Sequence, residues 1–232
     1  MDHPSDDILA VAKALQSFPY AFVLVGGAAV PFLLTDPVVS ARSTLDFDIV
    51  VRIATRGEYY EVEEWLRNHG FTETEEGPIY RWTLDNYLVD VMPTSEEVLG
   101  FSNQWYEAAL ESATDYKLAE DVSVPVVAAP PFIGAKIEAF QNRGEDDYYA
   151  SPDLEDIITV LNGRPETVDE FGKTTDPLHT YVARTFTRWL ESTVFNNALP
   201  GHLQYAETSP ERTRIIENRM QAIIHQSETR NN

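Results

Sequence analysis

The 232-residue chain has no cysteine and only four lysines, Lys13, Lys117, Lys136 and Lys173. Lack of cysteine excludes disulfides and thiolate metal sites and suits a cytoplasmic protein. No apolar run is long enough to span a bilayer, and the polar start, Met1 to Asp7, does not have the form of a signal peptide. A cytoplasmic location without membrane contact is therefore expected. Internal repeats and low-complexity tracts are absent, and the five histidines are scattered, which argues against a histidine metal site. Positive charge is scarce: 17 Lys and Arg stand against 38 Asp and Glu, a net charge of -21. Such a field repels nucleic acid at long range. Acidic, lysine-poor surfaces suit a high-salt cytoplasm, where screening suppresses self-repulsion; the other reading is an ordinary acidic bacterial protein.

What is present is a foldable chain. Hydrophobic residues make up 43% of it, and its length allows one or two domains. The spacing predicts a helix over 5–16 capped by Ser5, a strand over 21–25, and a Gly26-Gly27 turn opening a helix over 28–34. A loop over 35–44 leads to a strand around Asp46 and Asp48. A helix over 58–69, a short strand over 71–74 and a hairpin of 79–84 with 87–92 across Asp85-Asn86 follow. A brief helix or turn over 96–99 and short strands over 109–118 and 122–128 complete the first part. Beyond Pro130-Pro131 the pattern turns helical, over 131–142, 153–161, 176–195 and 210–227. The expected fold is α/β, a mixed sheet with flanking helices followed by a helical C-terminal domain. The domains are placed at 1–129 and 130–232, the second helical.

The chemistry centres on the D-F-D strand. Residues two apart share a strand face, so Asp46 and Asp48 project together with Val50 and Arg52, while Leu45, Phe47, Ile49, Val51 and Ile53 face a core. Carboxylates within a core-forming strand need a metal or a basic partner. Asp90, in L-V-D-V-M of the hairpin, is placed to join them. Three carboxylates make an oxygen-rich site suited to Mg²⁺, and Gly26-Gly27 at a helix start offers bare N–H groups to phosphates. Each part has a plainer reading: Gly-Gly as a structural turn, D-x-D on a solvated edge strand, and Asp90 as a strand-end charge.

The order of the parts is more specific than any one. V-G-G-A-A-V, then R-S-T-L-D-F-D-I, then V-D-V resembles the polymerase-β-like nucleotidyltransferase superfamily. It looks most like the bacterial AbiEii-type and MenT-type branch, toxins of toxin–antitoxin systems and their relatives. The resemblance covers residues 20 to 162. It implies that Asp46, Asp48 and Asp90 bind the metals, Mg²⁺ or Mn²⁺, with Asp90 as base. By the same likeness Gly26 and Gly27 hold the triphosphate, with Arg42 and Thr44 in the R-x-T before the carboxylates. In the helical part, P-P-F-I-G-A-K-I-E-A-F-Q-N-R followed by S-P-D-L-E-D-I-I is similar to the branch, and implies that Lys136 and Arg143 contact the nucleotide. An ion pair of Arg143 with Asp153 or Asp156 is the alternative. Ala28 stands where many relatives carry Ser or Thr, and Pro152 where the branch often has Lys.

The expected function is transfer of NMP from an NTP to an acceptor hydroxyl: the 3′ end of tRNA, a protein side chain or a small molecule. The resemblance adds a toxin role with an antitoxin protein as partner. A non-catalytic nucleotide-binding or regulatory member of the same fold is the alternative.

Overall fold

The computed structural model describes residues 6–44, 46–75, 77–143, 147–174, 177–203 and 210–230. Ser5, expected to cap the first helix, and Leu45 lie outside them, as does the side chain of Arg143. The chain divides into two compact units: Met1–Phe32 with Arg42–Ala128, and Leu33–Ala41 with Ala129–Asn232.

The first unit contains a seven-stranded mixed sheet. In chain order its elements are α1 (Asp6–Ala14), β1 (Phe22–Val25), α2 (Gly26–Leu33), β2 (Asp46–Val51), α3 (Arg56–Asn68), β3 (Thr72–Glu73), β4 (Arg81–Leu84), β5 (Tyr87–Pro93), α4 (Glu96–Leu99), α5 (Tyr106–Glu111), β6 (Thr114–Lys117) and β7 (Ser123–Val126). The strand order is β3-β4-β5-β2-β1-β7-β6. β2 runs parallel to β5 and β1 parallel to β7; the other pairs are antiparallel. β2 is thus central, with β1 on one side and β5 on the other. Phe47 and Ile49 are buried, as the alternation predicts, and so is Val50, on the face of the carboxylates. A central strand is covered on both faces along part of its length, and there the alternation ends.

Local chemistry fixes the ends of these elements. Thr55 caps α3 in a reciprocal box with Glu58, which moves its start two residues upstream of the expected position. Asp85, in the two-residue turn between β4 and β5, takes the left-handed conformation that Asp tolerates (φ 51°). The strand expected over 109–118 is instead α5 followed by β6. Tyr-Glu-Ala-Ala-Leu-Glu is rich in helix formers, and only Thr114–Lys117 pairs with β7.

The second unit is helical: α6 (Ala129–Arg143), α7 (Pro152–Gly163), α8 (Thr167–Lys173), α9 (Leu178–Glu191), α10 (Thr193–Ala198), a short 3₁₀ turn (Leu199–His202) and α11 (Pro210–Arg230). α6 packs on α7 and α9, and α11 on α7, α8 and α9. Phe132, Phe140, Phe171, Phe186 and Phe195 are fully buried in it. The single helix expected over 176–195 breaks at Ser192, whose hydroxyl accepts from Phe195 N (3.3 Å) and starts α10. The segment 33–41 is bound to this unit. Thr35 N and Asp36 N both donate to Gly163 O (2.9 and 2.8 Å), and Arg212 pairs with Asp36 at 2.7 Å. Among the described residues no helix is long and apolar enough to cross a membrane.

Candidate active site

β1 ends at Val25, and Gly26 opens α2 with φ +64°. Glycine enters this left-handed region without steric cost. Its lack of a side chain matters again across the strand: a Cβ at position 26 would lie 1.8 Å from Asp48 Oδ2. Val25 and Asp48 are direct partners on β1 and β2, which explains the approach. At position 27 a Cβ would meet Arg42 Nη2 at 2.8 Å and Thr44 Cγ2 at 3.6 Å. The backbone turn is thus flanked by the R-x-T side chains on one side and by Asp48 on the other. Thr44 Oγ1 in turn accepts from Asp46 N (3.1 Å), fixing the entry into β2.

The parallel register sets Asp48 opposite Asp90, and the antiparallel hairpin sets Asp90 opposite Arg81. Cross-strand partners share a face and lie about 5 Å apart. One row across three adjacent strands therefore reads Asp48, Asp90, Arg81, with Asp46 one pleat along from Asp48. Asp46 is exposed, Asp48 half-buried and Asp90 only 6% exposed.

Arg81 is the residue that the sequence reading missed. Its Nε donates to Asp90 Oδ1 at 2.7 Å and its Nη2 to Oδ2 at 2.8 Å, a bidentate pair. Hydrogen bonding to Asp90 raises the guanidinium's affinity for its proton, and Asp46 adds a smaller attraction. The signal was available: a two-residue turn at Asp85-Asn86 puts position 81 across from position 90. Tyr59, buried beneath β5, donates to Val91 O (3.3 Å). Burial first, and nearby carboxylates including Asp90 next, hold its phenol well above the ordinary range, so it serves as a donor and not as a base.

Among the described residues no three His, Cys, Asp or Glu side chains are grouped to hold a metal ion. Both Asp90 oxygens accept from Arg81, which leaves one lone-pair direction on each. The donors present still fit Mg²⁺ or Mn²⁺ in another form. Mg²⁺ takes one or two carboxylates and completes its shell with water and substrate phosphates. Asp46 and Asp48, beside the Gly26-Gly27 turn, supply that chemistry.

Lys136 belongs to the helical unit, on α6. Its Nζ lies 2.9 Å from Asp153 Oδ1 and 2.7 Å from Asp156 Oδ2, both on α7. All three residues are buried, and Lys136 also sits 5.9 Å from the centre of the Phe132 ring. Within this unit Asp153 and Asp156 thus have a lysine partner. Arg143, the other expected nucleotide contact of α6, falls with its side chain outside the described residues.

No protein-family profile matches the sequence, and no curated protein matches it. Several solved structures are similar, two of them as follows. One is described as "Solution Structure of Antibiotic-Resistance Factor ANT(2'')-Ia Reveals Substrate-Regulated Conformation Dynamics"; it is 15% identical, with a TM-score of 0.44, over 80% of this chain and 92% of that one. The other is JHP933 from Helicobacter pylori, 12% identical, with a TM-score of 0.47, over 97% of this chain and 92% of that one.

Proposed function

We propose that the protein is a Mg²⁺- or Mn²⁺-dependent nucleotidyltransferase that moves NMP from an NTP to an acceptor hydroxyl. The observation that carries this reading is the approach of Gly26 to Asp48. A strand-to-helix turn with no side chain lies against the second carboxylate of a D-x-D pair. A helix start offers N–H donors and a positive dipole end to a phosphate. Gly26 and Gly27, flanked by Arg42 and Thr44, take the triphosphate; Asp46 and Asp48 would hold the divalent ion. When bound, that ion offsets charge on the α-phosphate and on the leaving pyrophosphate.

Each oxygen of Asp90 has two lone-pair directions, and Arg81 uses one on each. Asp90 accepts the acceptor's hydroxyl proton through a remaining one. The hydroxyl oxygen then bonds to the α-phosphorus, the bond to the bridging oxygen breaks, and pyrophosphate leaves with the electron pair. The D-x-D and Gly-Gly likeness to the AbiEii and MenT branch favours a cytoplasmic toxin acting on tRNA and held by an antitoxin protein. The charge of -21 favours a small-molecule or protein acceptor over a long RNA.

The test is incubation with each radiolabelled NTP, Mg²⁺ and, in separate reactions, total RNA, cell protein and small-molecule extract. Label enters one acceptor class with the wild type and falls by orders of magnitude with Asp46→Asn. The Arg81–Asp90 pair favours a second reading, a nucleotide-binding or regulatory protein without transfer. Retained NTP binding with no label moved to any acceptor decides for it.

A further inference from the structure

The geometry points to Arg81 as a built-in cation that takes the charge role of a second metal ion, so that this site binds one divalent ion per nucleotide. The inference rests on the nucleotidyltransferase reading. Two observations carry it. First, Arg81 and Asp90 are register partners, and the guanidinium donates to both carboxylate oxygens at 2.7 and 2.8 Å. A two-ion site needs a carboxylate able to bridge or to complete the second ion's shell; here each oxygen of the third carboxylate already accepts from a guanidinium, which competes with a second cation for it. Second, the pair is well shielded. The Asp90 side chain is 8% exposed and that of Arg81 30%, so water competes poorly for the carboxylate.

Arg81 suits the task chemically. It stays charged at any working pH, and two of its five N–H donors serve Asp90, leaving three in a fixed fork for phosphate oxygens. Asp90 is then a positioning residue for Arg81 as well as a proton acceptor.

The experiment counts Mn²⁺ per bound nucleotide by equilibrium dialysis and electron paramagnetic resonance, using the α,β-methylene analogues of the four ribonucleoside triphosphates. The wild type is expected to hold one Mn²⁺ per nucleotide. Arg81→Met releases Asp90 and is expected to hold two, and Arg81→Met with Asp90→Asn to return to one. Arg81→Lys keeps the positive charge and is expected to stay at one. If Arg81→Met does not fold, the wild-type and Arg81→Lys counts decide. Two ions in the wild type, or one in a folded Arg81→Met, overturns the inference while leaving the nucleotidyltransferase reading intact. Nucleotide bound by the wild type with no Mn²⁺ overturns both.

Discussion

An alanine at position 26 meets two obstacles that an alanine at position 27 does not. Gly26 sits at φ +64°, where a Cβ costs about 1–2 kcal/mol, and that Cβ would overlap Asp48 Oδ2. Gly26→Ala should therefore lower stability by at least that amount and displace Asp48. At position 27 the clash is with the end of the Arg42 side chain, which can swing away. Gly27→Ala should leave the melting temperature within a degree or two while weakening NTP binding, because Arg42 is moved from the triphosphate. Melting curves with and without nucleotide separate the two outcomes. Lys136 calls for a different expectation. Removing its charge takes a cation from buried Asp153 and Asp156, and losing one partner of a buried pair costs about 3–5 kcal/mol. Lys136→Ala should thus unfold at markedly lower urea, and a variant as stable as wild type contradicts the buried-triad description.

At the scale of elements, segment 33–41 is bound to the helical unit through Asp36. Its carboxyl is held below the ordinary range, first by the hydrogen bond from Arg212 and next by Val38 N. A lowered folded-state value stabilises the fold above the unfolded carboxyl value of about 3.9 and is lost as pH falls through the folded value. Asp36→Asn should flatten the acid limb of the stability curve below about pH 4, measured by urea melts from pH 7 to pH 2.5; an unchanged acid limb assigns the loss to other carboxylates. The sequence was most legible where one face of an element is buried and one is not. The D-F-D strand, α3 and the 85–86 hairpin were readable for that reason, and with them the common row of Asp48 and Asp90. Legibility failed where tertiary packing chose between local options. Y-E-A-A-L-E can be read as strand or helix, and a helix break at Ser192 depends on a hydroxyl finding Phe195 N. The Arg81 pairing was implicit in the hairpin register, but only a strand-by-strand count exposes it. The role given to Lys136 came from likeness, and its burial against α7 is invisible in a single helix pattern.

At the scale of the whole molecule, charge dominates. With a net charge of -21, self-repulsion at low ionic strength is strong and falls as the Debye length shrinks from about 30 Å at 0.01 M to about 3 Å at 1 M salt. If the acidic surface is an adaptation to salt, the melting temperature should rise steadily into the molar range; no gain beyond the first few tenths molar makes it an ordinary acidic protein. The central claim, that Asp46 and Asp48 hold a metal-bound nucleotide beside Gly26, is tested most directly by ligand-induced stabilisation. A ligand bound only by the native state stabilises it by about 2.7 kcal/mol at a hundredfold excess over its Kd. Urea melts with Mg²⁺ and an α,β-methylene NTP should show a gain of that order in the wild type and almost none in Asp48→Asn, each protein folding normally without ligand. An equal gain in Asp48→Asn, or none in the wild type with any of the four nucleotides, contradicts the account.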